Sequence, residues 1–141
     1  SGPLCNCGKR GCLESFVSDR AMLDAAKQKG LEVSDLESLA SLALEGDERA
    51  IEILENAGRL FGRELANLVN IMDPRLILIS GEGVVVGETF FTAMRGTFRS
   101  NIMPGLAEDT EIRVATWGDD VWARGAASVV IGEVFNSPIQ Q

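Results

Sequence analysis

The chain has 141 residues with a hydrophobic content of 45%, which is enough for one hydrophobic core, so we expect a single domain. Its formal net charge is −8, and the 13 basic residues form no stripe that could neutralise phosphates, which disfavours direct nucleic-acid binding by this segment. Without an apolar run of about 18 residues or a basic-then-apolar leader, the sequence predicts no membrane span and no secretory signal, and a cytoplasmic location.

The first feature along the chain is a cluster that contains all three cysteines, Cys5, Cys7 and Cys12. Gly8 and Gly11 lie between them and allow the loop to fold back, so that three sulfurs point at one centre, as in a tetrahedral zinc site. Because the sequence has no histidine, a fourth ligand would come from outside these residues or be water. The alternative is three reduced cysteines in a glycine turn, since an odd number is a poor disulfide framework.

No strand or helix is predicted between Ser1 and the cysteine loop, which suggests a fragment.

Three helices are predicted after this loop. Apolar residues spaced by three and four predict one helix over residues 12–29. A capping box at Ser34 and Glu37 predicts a second helix up to Gly46.

The third helix is the longest. Asp47 can cap it, its apolar residues recur at helical spacing for more than 20 residues, and Asp73-Pro74 ends it. The apolar run Leu76–Ile79 then predicts a strand of a parallel sheet, buried on both faces. A turn at residues 80–83 follows the strand.

The remaining chain predicts a helix over residues 87–100, a strand over residues 111–116 and a last helix over residues 121–135, capped by Asp119-Asp120. Strand, helix and strand form a right-handed βαβ crossover. Two strands alone make a poor sheet, so we expect the other strands to belong to sequence outside this chain. The fold class is therefore α/β and rich in helices.

The cysteine loop resembles the hallmark of the ROK family (repressors, open reading frames, kinases), which is Cys-x-Cys-Gly-x-x-Gly-Cys-x-Glu. The matching residues are Cys5, Cys7, Gly8, Gly11, Cys12 and Glu14. The resemblance implies an actin-like, ribonuclease-H-like architecture of two α/β lobes with sugar in the cleft between them. Residues 1–137 would be most of the second, C-terminal lobe, with a short parallel sheet and a zinc loop, and residues 138–141 a tail.

The resemblance also implies roles for individual residues. Cys5, Cys7 and Cys12 would be zinc ligands, completed by a histidine upstream of Ser1. Glu14 would accept hydrogen bonds from sugar hydroxyls, which suits a carboxylate because it offers acceptors only. From the residues alone, the favoured interpretation of Glu14 is an acid in the first turn of a helix that complements the helix dipole.

A second candidate site is the turn Gly81-Glu82-Gly83, which follows the predicted buried strand. Kinases of this family have a glycine run here that approaches adenosine closely. The carboxylate of Glu82 is unfavourable beside a polyphosphate. We therefore interpret the segment as an ordinary strand-to-helix turn and expect no ATP binding.

By this resemblance the chain would be the effector domain of a sugar-responsive transcriptional repressor, with a sugar or sugar phosphate as its ligand and zinc as a structural cofactor. DNA would be bound only through an N-terminal domain outside this chain, and the protein would be a homo-oligomer. The alternative is one lobe of an ATP-dependent sugar kinase, whose catalytic aspartate and phosphate loop lie upstream. In either case this segment should catalyse nothing alone. A structural module with an empty cleft is a third hypothesis.

Overall fold

The computed structural model describes residues 2–106, 110–116 and 121–136. In chain order its elements are the helices Glu14–Val17 (α1), Asp19–Gln28 (α2), Leu36–Leu44 (α3) and Glu48–Met72 (α4), the strand Leu76–Ser80 (β1), a 3-10 helix Glu82–Val86, the helix Gly87–Asn101 (α5), the strand Glu111–Ala115 (β2) and the helix Val121–Asn136 (α6). The predicted cap at residues 119–120 and the predicted tail lie outside the described residues. None of the described helices is both long and apolar enough to cross a membrane.

The prediction of one helix over residues 12–29 is wrong, because Ser18 interrupts it and divides the segment into two helices. Its backbone is extended, with φ −72° and ψ 157°, and its hydroxyl accepts a hydrogen bond at 3.3 Å from the backbone N–H of Ala21. A serine can cap a new helix in this way, and the apolar spacing cannot reveal it because both helices keep the same period. The break leaves Glu14 on a helix of its own, directly after the cysteine loop.

The N-cap predicted at Ser34 is one residue too early. Asp35 is the cap of α3, and its carboxylate accepts hydrogen bonds from the Ser38 hydroxyl at 2.6 Å, the Ser34 hydroxyl at 2.7 Å and the Ser38 backbone N–H at 2.8 Å. These bonds, chiefly that from the Ser38 hydroxyl, lower the pKa of Asp35 to about 2. The predicted cap at Asp47 is confirmed, and its pKa is also lowered to about 2, chiefly by the side chain of Arg49.

We expect these two caps to make folding pH-dependent. A folded-state pKa of about 2, against an ordinary value of 3.8, stabilises the folded chain fully above pH 3.8. This stabilisation is lost as the pH falls towards 2, so the urea midpoint should drop across that window. The control is a variant with Asp35→Asn and Asp47→Asn, since asparagine also caps helices but does not titrate. An equally steep drop in the variant would contradict the prediction.

The core forms where α4 and α5 pack against each other with α3 across them. Its largest fully buried side chains are Leu39, Leu54, Val69 and Met94. Gly58 and Gly62, four residues apart on α4, face the backbone of α5. A Cβ atom at either position would overlap a carbonyl oxygen, that of Phe90 or that of Met94. The two helices therefore approach as closely as their backbones allow.

The two strands pair in parallel, with Leu76 opposite Glu111 and Ser80 opposite Ala115, which confirms the predicted strand, helix and strand. The prediction that β1 is buried on both faces is wrong for the described part of the chain. Ile77 packs against the core, whereas Leu76 and Leu78 are 48% and 51% exposed. The described elements cover only the face of the sheet that lies on the core, and this leaves alternate residues of β1 accessible.

Candidate functional site

The cysteine loop is a small hairpin held by its own backbone. Leu4 and Arg10 form an antiparallel bridge, the N–H of Cys5 donates to the carbonyl of Lys9 at 2.8 Å, and the N–H of Gly8 donates to the carbonyl of Cys5 at 2.9 Å. Gly8 has a φ of 82°, a conformation that side chains disfavour. These bonds close the hairpin that carries the three cysteines.

The structure brings the three predicted ligands together. The sulfurs of Cys5, Cys7 and Cys12 all lie within 4.8 Å of one another, and those of Cys7 and Cys12 are 3.6 Å apart. Two thiolates on one tetrahedral zinc ion, each at about 2.3 Å from it, lie about 3.8 Å apart. Thiolates are also the ligands that zinc prefers in structural sites. The donor set therefore fits zinc, with the fourth position open to a ligand from elsewhere.

The thiols differ in their protonation. The pKa of Cys7 is lowered, first by a hydrogen bond from the backbone of Lys9 and then by one from Cys12. The same contact with Cys7 is the main reason that the pKa of Cys12 rises to about 11. Cys7 is exposed, Cys12 is half-buried and Cys5 is buried. The contact between the two sulfurs therefore shifts their pKa values in opposite directions, so that Cys7 loses its proton more readily than Cys12.

Glu14 lies against this cluster. It is the first residue of α1, and its Oε2 accepts a hydrogen bond from the thiol of Cys5 at 3.6 Å. The Ser15 hydroxyl donates to the carbonyl of Cys12 at 2.7 Å, which ties the start of α1 to the last cysteine of the loop. The Glu14 carboxylate thus contacts the thiol of Cys5, while the backbone carbonyl of Cys12 holds the start of its helix.

Glu14 also lines an open cavity of about 760 Å³ between the cysteine loop, α2 and α4. Polar side chains that sequence reasoning missed lie there too, among them Arg20 and Asp24 of α2 and Asn56 of α4. Arg20 and Asp24 form an exposed ion pair at 3.7 Å whose spacing of four residues was visible in the sequence. The sequence did not indicate a role for Asn56, because only the packing of α4 brings this residue into the same cavity as the cysteine loop. The cavity combines donors and acceptors suited to a polyhydroxylated ligand.

The turn at the end of β1 lies apart from this cavity, since Gly81, Glu82 and Gly83 are not in its lining. Gly81 has a φ of 121°, and the 3-10 helix begins directly after it. A Cβ atom on Gly83 would lie 3.5 Å from a carboxylate oxygen of Asp19, at the start of α2. The turn therefore carries one carboxylate of its own and has a second one beside it, which the sequence did not indicate.

Comparison with known proteins places these features in a family. A model of the ROK family matches residues 1–133. The xylose repressor of Bacillus spizizenii is 29% identical over 131 residues, which is 93% of this chain and 34% of the repressor. The chain thus spans about a third of the length of that relative.

Solved structures agree with the described fold. A ROK hexokinase from Thermus thermophilus is 32% identical, with a TM-score of 0.76, over 91% of this chain and 43% of the hexokinase. A ROK family glucokinase from Streptomyces griseus, solved with glucose and AMPPNP, is 26% identical with a TM-score of 0.71, over 91% of this chain and 47% of the kinase. Repressors and sugar kinases are both among the relatives.

Proposed function

Because the chain belongs to the ROK family, we propose that it is the sugar-binding, zinc-containing second lobe of a sugar-responsive transcriptional repressor. In this proposal residues 1–137 form most of the C-terminal lobe of an actin-like fold. The observation that carries it is the Glu14 carboxylate, held against the Cys5 thiol in the lining of a cavity that also contains Arg20 and Asn56. The similarity to the xylose repressor supports the choice of function.

The proposed metal is structural. Cys5, Cys7 and Cys12 hold zinc together with a histidine from outside this chain, and the zinc fixes the loop that precedes α1. Glu14 then accepts short hydrogen bonds from sugar hydroxyls, which a carboxylate forms strongly because it is charged.

The proposal excludes ATP for an electrostatic reason. A nucleotide bound at the turn after β1 would bring its phosphates near two carboxylates. One belongs to Glu82, and the other to Asp19, which lies beside Gly83. Like charges repel, so such binding is unfavourable. The protein would then bind sugar without phosphorylating it. Sugar binding between two lobes would instead alter the spacing of DNA-binding domains in a cytoplasmic homo-oligomer.

A sugar kinase is the second candidate. The similarity to the hexokinase and to the glucokinase with glucose and AMPPNP supports it directly. It requires a catalytic base and a phosphate-binding loop in the other lobe. Mixing the intact protein with Mg-ATP and hexoses or pentoses separates the candidates, since a kinase yields sugar phosphate and ADP and the repressor yields neither.

We expect Glu14→Gln to weaken sugar binding to the intact protein about tenfold or more, because a hydrogen bond to a charged group contributes about 1.5–3 kcal/mol. Calorimetric titration with the sugar that binds the unchanged protein measures this. Glu32→Gln is the matched control, since it removes an exposed carboxylate that does not line the cavity. Equal affinities of the Glu14 variant and the unchanged protein would eliminate the assigned role.

A further inference from the structure

The three cysteines are unequal in their access to solvent and in their contacts. Cys7 is exposed, and its sulfur lies 3.6 Å from that of Cys12, with which it shares a hydrogen bond. Cys5 is only 5% exposed, and its sulfur is engaged with Glu14. A solvent-borne reagent therefore meets Cys7 first. The sulfur of Cys12 lies 3.6 Å from it, and that of the buried Cys5 lies within 4.8 Å.

We propose that Cys7 and Cys12 form an oxidative modification site, which a hydroperoxide converts into a disulfide. Redox-sensitive cysteines are accessible and stand next to a second thiol that can resolve the first oxidation product. The pair meets both conditions. The formation of this disulfide is independent of the proposed function, whereas its coupling to zinc and to sugar rests on that function.

The chemistry balances in two steps. The Cys7 thiolate attacks one peroxide oxygen and breaks the O–O bond, which gives a sulfenic acid at Cys7 and releases water, or an alcohol, after protonation. The Cys12 thiol then gives up its proton as its sulfur attacks the Cys7 sulfur and forms the S–S bond, and the hydroxide that leaves takes up that proton to become a second water. Two thiols are oxidised and one peroxide is reduced.

The loop can accommodate this disulfide because its backbone already turns back on itself between Cys7 and Cys12. Gly8 and Gly11 separate the two cysteines and both have positive φ, so the segment between them is tightly turned. The Leu4–Arg10 bridge holds the two arms of the hairpin together from outside. Only a small approach of two sulfurs that are already neighbours is needed.

The modification would also reach Glu14. A disulfide withdraws two thiolates from zinc at once, and the single remaining cysteine, Cys5, cannot retain the ion. The carbonyl of Cys12 accepts hydrogen bonds from both the hydroxyl and the N–H of Ser15, at 2.7 and 3.0 Å. A displacement of Cys12 is thereby passed to α1, where Glu14 is the first residue.

The test uses the intact, reduced, zinc-loaded protein titrated with hydrogen peroxide. Trypsin cleaves after Lys9 and Arg10 and so separates Cys7 from Cys12. A Cys7–Cys12 disulfide therefore joins the peptide that ends at Lys9 to the peptide of residues 11–20, and dithiothreitol releases them. Fragmentation at Asn6 tells Cys5 from Cys7. A chromophoric chelator should detect one zinc ion released per disulfide.

The outcomes are distinct. Peptides joined through Cys7 and Cys12 support the proposal, whereas a Cys5–Cys7 disulfide, or sulfinic acid at Cys7 without joined peptides, overturns it. In Cys12→Ser the reaction should stop at the Cys7 sulfenic acid, which dimedone labels, and absence of this label also overturns it. If the disulfide forms but sugar affinity does not fall by about tenfold, the coupling to Glu14 is wrong while the modification stands.

Discussion

A Gly62→Ala variant is expected to lose at least about 2 kcal/mol of folding stability, because overpacking a close contact costs about 1–3 kcal/mol or more. The new Cβ atom would overlap the carbonyl oxygen of Met94 and crowd its neighbouring backbone atoms. Backbone in the middle of α5 cannot rotate away as a side chain could, so α4 and α5 would have to separate. Their separation would open the core around Met94, which is fully buried.

The expected loss of folding stability in Gly62→Ala is opposite to the usual effect of this substitution in a helix. Alanine normally stabilises a helix relative to glycine, by about 1 kcal/mol. Gly96, inside α5, offers the matched control, since a Cβ atom there has no neighbour within 4 Å. Urea denaturation should therefore move in opposite directions for Gly62→Ala and Gly96→Ala. A stabilised Gly62→Ala chain would show that the two helices are not in backbone contact.

The second large effect concerns the metal. A Cys7→Ser variant of the intact protein is expected to bind zinc more than about 100-fold more weakly, since loss of even an outer partner of a metal ligand costs about 10- to 100-fold. A hydroxyl does not replace the thiolate, because serine remains protonated at neutral pH and is a poor ligand for zinc. Competition with a chromophoric chelator under reducing conditions measures the affinity.

The neighbouring Asn6 supplies the control for that experiment. Asn6→Ser introduces the same hydroxyl one residue away, at an exposed position that provides no sulfur. Its zinc content should remain about one ion per chain, while that of Cys7→Ser falls. Retention of full zinc affinity by Cys7→Ser would remove the zinc centre from the proposal and leave three reduced cysteines in a glycine turn.

Local patterns predicted most elements. The helical spacing, the cap at Asp47 and the stop at Asp73-Pro74 defined α4, and the structure confirms it as Glu48–Met72. The break at Ser18 was missed because a hydroxyl that caps one helix leaves the apolar period of its neighbours intact. The exposed face of β1 was missed because an apolar run does not show which element covers each face of a strand.

By itself the sequence determined the family, the three candidate metal ligands and the order of helices and strands, since spacing and capping act over a few residues. The tertiary structure alone decided which distant residues meet: Glu14 with Cys5, Asp19 with Gly83, and Gly62 with the backbone of α5. Such contacts depend on how whole helices pack, and no short pattern encodes them. The contact of Glu14 with Cys5 is also what turns a cysteine motif into a site with a placed carboxylate.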